Sequence, residues 1–327
     1  MSGGLRWPIW LSISIGIVLA STLHLAVGAK SIPWHDVWQA LLAYDPSQSD
    51  HSVIRGSRLP RLWVAMLVGA CLGLAGTLMQ AVGDNPLADP GILGINSGAA
   101  LFVVIGLLVL PGNDMSMIPL FAFSGALVAA VGVMLLAGRT PNPVRLTLSG
   151  AMMAALFGAI TAIVLLIDQQ GLDSLRRWLT GSLGISGANL PSWLWPYLVI
   201  GLSLCLLNVR ALNAYRLGAQ VASSMGVNLL RMRLLSLAAV VLLSGCAVAL
   251  AGPIGFVGLV VPHAARLLVG HDLRQLLVAT PLLGALLLVL ADVVARTLVS
   301  PYELNTGIVT ALIGGPVFVG LVLRKLK

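Results

Sequence analysis

Asp292 and Arg296 lie four residues apart in the apolar run ADVVAR. On a helix that spacing sets an acid one turn before a base on the same face. The two read as a neutralised pair near the outer membrane surface. The alternative is a proton-carrying Asp292, because ionisable groups inside a bilayer are costly and mark function. No other acid is placed well inside a span, so a relay of carboxylates is not expected. Other chemistries lack their residues. A phosphate loop needs a lysine directly after a glycine, yet Lys30, Lys325 and Lys327 are the only lysines and none follows one. Neither GxSxG nor HExxH occurs, and the five histidines show no HxxxH or HxxE spacing. Cys71, Cys205 and Cys246 sit in apolar runs without a CxxC and read as small packing residues. No metal, cofactor or catalytic residue is expected, and the chain is not expected to be an enzyme.

The other polar feature is Asn208–Arg233, NVRALNAYRLGAQVASSMGVNLLRMR, framed by Arg210, Arg216, Arg231 and Arg233. Its small residues and its glycines at Gly218 and Gly226 suit two short helices with a sharp turn, too short to span a bilayer. It reads either as an ordinary loop or as a lever on which a soluble partner pushes.

The elements around these residues follow from composition. The chain is 58% hydrophobic and 9% charged, with a mean hydropathy of +0.99. Soluble domains carry about 25% charged residues, so this is an all-α polytopic membrane protein. Its surplus of basic over acidic residues, 19 against 11, reports topology rather than nucleic-acid binding. Charge-free windows place ten spans near 8–28, 61–82, 92–110, 117–137, 145–166, 191–208, 234–250, 254–270, 277–297 and 305–323. Most hold the roughly twenty residues needed to cross about 30 Å of hydrocarbon. The first is longer than the apolar core of a signal peptide and is taken as retained. The eighth, with Gly252, Pro253, Gly255, Gly258 and Pro262, predicts a short, broken helix. No soluble domain is visible, so 1–327 reads as one transmembrane domain.

Orientation comes from the basic residues. With the N-terminus inside, Arg6, Arg139, Arg145, Arg210, Arg216, Arg231, Arg233, Arg266, Arg274, Arg324, Lys325 and Lys327 are cytoplasmic. Lys30, Arg55, Arg58, Arg61, Arg176, Arg177 and Arg296 are outside. Both termini are then inside. The long outer segments 29–60 and 168–191 are expected to be a partly helical cap and an amphipathic piece, WLTGSL, at the outer mouth. Trp34, Trp38, Trp178, Trp193 and Trp195 suit an interfacial belt. Glycines such as Gly69, Gly73 and Gly76 suit close helix packing. Arg58 and Arg61, three apart at the start of the second span, read on their own as snorkelling anchors.

RLPRLWVAMLVGACLGLAGTLMQAVGDNPLADPGILGINSGA over Arg58–Ala99 resembles the second and third spans of the FecCD permeases. GPIGFVGLVVPHAARLLVGHDLRQLL (Gly252–Leu277), ADVVAR (Ala291–Arg296), ELNTGIVTALIGGPVF (Glu303–Phe318) and RWLTGSL (Arg177–Leu183) extend the similarity in the family's order. Two motifs depart from it: Glu303-Leu304-Asn305 stands where the family often has ELP, and Gly314-Gly315-Pro316 where it often has GAP. The resemblance implies the type II ABC importer permease fold. That fold has ten spans, with spans two to five and seven to ten forming an inverted repeat. It implies a second permease subunit, identical or different, two cytoplasmic ATPases that bind ATP and magnesium, and an extracytoplasmic binding protein. The cargo would be a ferric siderophore, or haem or cobalamin, moved across the bacterial cytoplasmic membrane by alternating access through a wide pathway lined by small and apolar side chains. The loop between spans six and seven would sit on the ATPase through Leu217, Gly218, Ala219, Val221, Ala222, Met225, Gly226, Val227, Leu230 and Arg231. Arg58, Arg61 and Arg296 would meet acidic residues of the binding protein. An ion-gradient carrier is the competing class, and a membrane scaffold without transport has no positive support.

Overall fold

Each of the ten apolar windows holds one main helix in the computed structural model, which describes residues 7–28, 30–110, 115–138, 143–167, 169–184, 190–299 and 302–325. They are α1 (Trp7–Ala26), α4 (Leu59–Val82), α5 (Ile95–Val109), α6 (Ile118–Ala137), α7 (Pro143–Ile167), α9 (Leu194–Tyr215), α11 (Leu229–Ala251), α12 (Val257–Val269), α13 (Leu273–Thr297) and α14 (Thr306–Lys325). Four shorter helices complete the set: α2 (Trp34–Leu42), α3 (Ser49–Val53), α8 (Gln169–Leu179) and α10 (Ala219–Ser224). Among the described residues every element is helical. In hydrocarbon a backbone must satisfy its own polar groups, and a helix does so locally.

Seven of these helices are long and apolar enough to cross a membrane; α5, α12 and the apolar part of α14 are shorter. Two of the short ones share a cause. The chain leaves α4, returns through the 3-10 turn Pro90–Leu93 and starts α5 after Gly94, whose φ is 68°. It leaves α11 at Gly252, with φ 69°, and starts α12 after Phe256, with φ 67°. The broken eighth span is as predicted. A long helix, an irregular re-entry, a short helix and two further helices thus occur twice, as α4–α7 and α11–α14. This is the inverted repeat.

The core of the bundle is α4, packed between α11 and α13. Lipid offers no hydrophobic drive between helices, so close backbone approach must supply the packing. At Gly69 an added Cβ would lie 2.2 Å from Gly284 O, and at Gly76 one would lie 1.9 Å from Gly258 O. Only glycine permits α4 to touch α13 and α12 at these points.

Several boundaries differ from expectation. The polar stretch at 208–233 is mostly helix: α9 runs on to Tyr215 and α11 starts at Leu229. Asn208 does not end its span. It is buried and donates to Met232 O at 2.7 Å and Ser236 Oγ at 2.5 Å, tying α9 to α11. The loop proper is therefore 216–228 and holds one short helix, not two; Asn228 caps α11 by accepting from Arg231 N at 3.0 Å. Segment 29–60 forms the expected cap, with α3 passing through the π turn Ile54–Arg58 into α4. In the other outer segment the amphipathic helix is α8, which takes in only the first two residues of WLTGSL, Trp178 and Leu179. Trp178 is buried there rather than interfacial. Ser182 N donates to Ala251 O at 2.8 Å and Gly307 N to Gly181 O at 3.0 Å, so this segment clasps the end of α11 to the start of α14. Arg6, Arg139 and Lys327 lie outside the described residues.

Candidate functional site

Polar residues gather at opposite ends of the bundle. At the end where α1 finishes and α4 begins, Asp292 of α13 is fully buried and draws in four side chains. Its Oδ1 accepts from Arg61 Nη2 at 2.9 Å and Thr306 Oγ1 at 2.6 Å. Its Oδ2 meets His24 Nε2 at 2.9 Å and pairs with Arg296 Nε at 3.2 Å, the latter without hydrogen-bond alignment. The predicted Asp292–Arg296 pair is present, inside a larger network.

The remaining arginine donors go largely to backbone. The last carbonyls of a helix lack intrahelical donors and carry its negative pole. Arg58 Nη1 donates to Leu25 O at 2.6 Å and Ala26 O at 2.9 Å, and its Nη2 to Lys30 O. Arg296 Nη2 donates to His24 O at 2.9 Å. Two guanidinium groups thus cap α1. Gly28 makes room, since a Cβ there would lie 3.2 Å from Arg58 Nη2 and 3.3 Å from Arg296 Nη1. Arg61 alone faces both ways, with Nη2 on Asp292 and Nη1 donating to Glu303 Oε2 at 2.8 Å.

Arg58 and Arg296 thus lie inside this end of the bundle rather than on its surface, while Arg61 keeps one arm outward. Arg58 and Arg296 are 5% and 3% exposed and committed within the chain. The Arg61 side chain, 15% exposed, reaches solvent beside Glu303 at 42%.

The opposite end carries the loop between α9 and α11. Gly218 (φ 112°) and Gly226 (φ 82°) bracket α10 in backbone conformations that a Cβ disfavours. Ala222 is buried, and Val227 N donates to Ala222 O at 3.0 Å, closing the turn. Leu217, Val221, Met225 and Leu230 are exposed, as are Gly218, Ala219, Gly226 and Arg231. Below the turn, Arg233 donates to Tyr215 OH at 3.2 Å. Asn213 of α9 donates to Asp272 Oδ1 at 3.0 Å and accepts from Leu273 N at 3.1 Å, joining the loop's root to the start of α13. Beside it opens a cavity of about 190 Å³ lined by Gln80, Asp84, Asn85, Arg216, Arg266 and His271. Arg266 Nη2 is held by Gln80 Oε1 at 2.6 Å.

The sequence profile of the FecCD transport family matches residues 16–324. The chain belongs to that family. It is 41% identical over 315 residues to the ferric enterobactin transport system permease protein FepD of Escherichia coli, covering 95% of this chain and 93% of that one. It is also 41% identical over 300 residues to the Fe(3+)-citrate import system permease protein YfmD of Bacillus subtilis, covering 91% and 89%. A solved structure of a metal-chelate type ABC transporter in an inward-facing conformation superposes with a TM-score of 0.82 at 30% identity, over 97% of this chain and 99% of that one. This is a transport subunit and not an enzyme.

The FecCD permease holds one further acid, Asp89, which falls between the spans expected at 61–82 and 92–110. Asp89 accepts from Gly91 N at 2.8 Å, and its Oδ2 would lie 3.2 Å from a Cβ on Gly258. Gly258 also lies against Leu72 O. Leu72 is ten residues from the end of α4, about 15 Å at 1.5 Å per residue. Asp292 is therefore not the only acid deep in the bundle. Sequence reasoning also missed His24, Glu303 and Thr306. The available signals were a histidine in an apolar run and two polar residues flanking the start of the last span.

Proposed function

We propose that this FecCD permease is the membrane subunit of an ATP-driven importer that carries a ferric siderophore across the bacterial cytoplasmic membrane. Two ATPases act from the end bearing α10, and a substrate-binding protein docks at the end bearing Arg61 and Glu303. Both chain termini are then cytoplasmic. The observation that carries the reading is α10: a helix pinned by buried Ala222, with Val221 exposed on it and Leu217 and Met225 exposed at its margins. It suits a soluble partner that pushes on it. Movement of α10 would pass through Asn213 to Asp272 and hence to α13, which runs the depth of the bundle to Asp292.

The cargo assignment draws on the iron-chelate names of the full-length relatives. A second permease subunit would cover α7, whose apolar window is only 17% buried within one chain. An ion-gradient carrier is disfavoured because Asp292 is held by four partners and has no free place for a travelling proton.

The test is uptake into vesicles containing the co-purified complex, with ferric siderophores, haem and cobalamin offered in turn. Uptake of a ferric siderophore that needs internal ATP and persists when the proton gradient is collapsed is the expected result. Loss of uptake on collapsing the gradient with ATP present would overturn the ATP-driven reading. Uptake of haem or cobalamin alone would overturn the cargo.

A further inference from the structure

Glu303 occupies the outward arm of Arg61 at the docking end. Arg61 Nη2 is fixed on buried Asp292, while Nη1 lies 2.8 Å from Glu303 Oε2. The two acids are held differently. Asp292 also has His24, Thr306 and Arg296. Glu303 has no other side-chain bond among the described residues and is 42% exposed. It sits on the short segment 302–305 before α14, tethered by Leu304 N to Ala295 O at 2.9 Å and by Asn305 to the Thr180 hydroxyl.

We infer that Glu303 holds, in the undocked permease, the place on Arg61 that a carboxylate of the binding protein takes on docking. Docking is then an exchange of acids on a fixed arginine rather than the filling of a vacant basic site. The inference rests on the docking reading above. Arg58 and Arg296 are buried and spent on the carbonyls of α1, so they offer no competing place. In the exchange one carboxylate leaves Nη1 as another arrives, Nη2 keeps Asp292, and the displaced Glu303 turns to solvent. Glu303 thus acts through Arg61 as a positioning residue. It presents the fork before docking and rejects partners whose acid cannot displace it. Released, segment 302–305 slackens beside α14, while Thr306 stays on Asp292.

The test uses the complete transporter in lipid nanodiscs and the substrate-binding protein of the same transporter, with affinity measured at low ionic strength. An exposed ion pair is worth about 0.2–1 kcal/mol, so Glu303→Gln is expected to tighten docking by roughly 1.4- to five-fold. In an Arg61→Gln background the same change is expected to do nothing. Equal tightening in both backgrounds would mean general repulsion by an acid and would overturn the exchange, as would unchanged or weaker docking of Glu303→Gln alone. A measurement that keeps the Arg61–Glu303 pair guards against misfolded variants. A nitroxide on Tyr302→Cys, a 76% exposed position, is expected to gain mobility when the binding protein is added. An unchanged spectrum despite docking overturns the inference. Failure of the wild-type transporter to dock at all overturns the docking reading itself.

Discussion

Asp292→Asn isolates the charge of the buried network from its shape. Asparagine keeps the volume but offers one acceptor oxygen where the carboxylate offers two. Oδ1 now serves Arg61 and Thr306, and Oδ2 serves His24 and Arg296, so one of these pairs must face an amide NH₂. The buried positive charge of Arg296 then loses its counterion. Removing one partner of a buried ion pair costs about 3–5 kcal/mol. At about 2 °C per kcal/mol for a chain of this size, thermal stability should fall by roughly 6–10 °C. The assay is fluorescence-detected aggregation of the detergent-extracted complex over a temperature ramp. Asp292→Asn with Arg296→Gln should recover part of the loss, because the orphaned charge is removed together with its partner. ATP-driven uptake per folded molecule should stay near wild type. A fall of less than about 2 °C, with no recovery in the double variant, would refute the view that this network is a charge-balanced clamp.

Two further outcomes follow from the geometry. Gly226→Val has open space for its Cβ but a φ of 82°, so it should cost about 1–2 kcal/mol of local backbone strain and leave the spans inserted. Transport and binding-protein-stimulated ATP hydrolysis should both fall; intact transport in vesicles would dismiss the lever. Gly76→Ala would put a Cβ 1.9 Å from Gly258 O and should abolish monodisperse extraction, whereas Gly255→Ala meets nothing within 4 Å and should extract like wild type.

The spans were legible in the sequence because uninterrupted apolar windows have one solution in a bilayer. Their ends were less so. Asn208, Arg210, Arg231 and Arg233 look like loop composition, but Asn208 faces a neighbouring helix and the arginines continue α9 and α11. Asp89 sits in a turn-rich run between two expected spans, and only the chain's re-entry carries it inward. Arg58 illustrates the deeper limit. A snorkelling arginine and one that caps another helix have the same local sequence; the difference lies in the α1 carbonyls, 32 and 33 residues away in the chain. The partners of Asp292 were hidden for the same reason, since His24 is 268 positions distant.

That separation has a consequence for how the protein is made. His24 leaves the ribosome early and Asp292 near the end. At 5–20 residues per second the interval is roughly 13–54 s. During it the end of α1 is already capped by Arg58, but His24 and Arg61 wait without their shared carboxylate. When α13 emerges, its buried acid lies near the outer end of the helix and needs partners there. The waiting histidine and arginine form a ready-made berth for it. The first two membrane helices would then hold a prepared place for the ninth, and a chain truncated before α13 would leave His24 and Arg61 without their shared carboxylate.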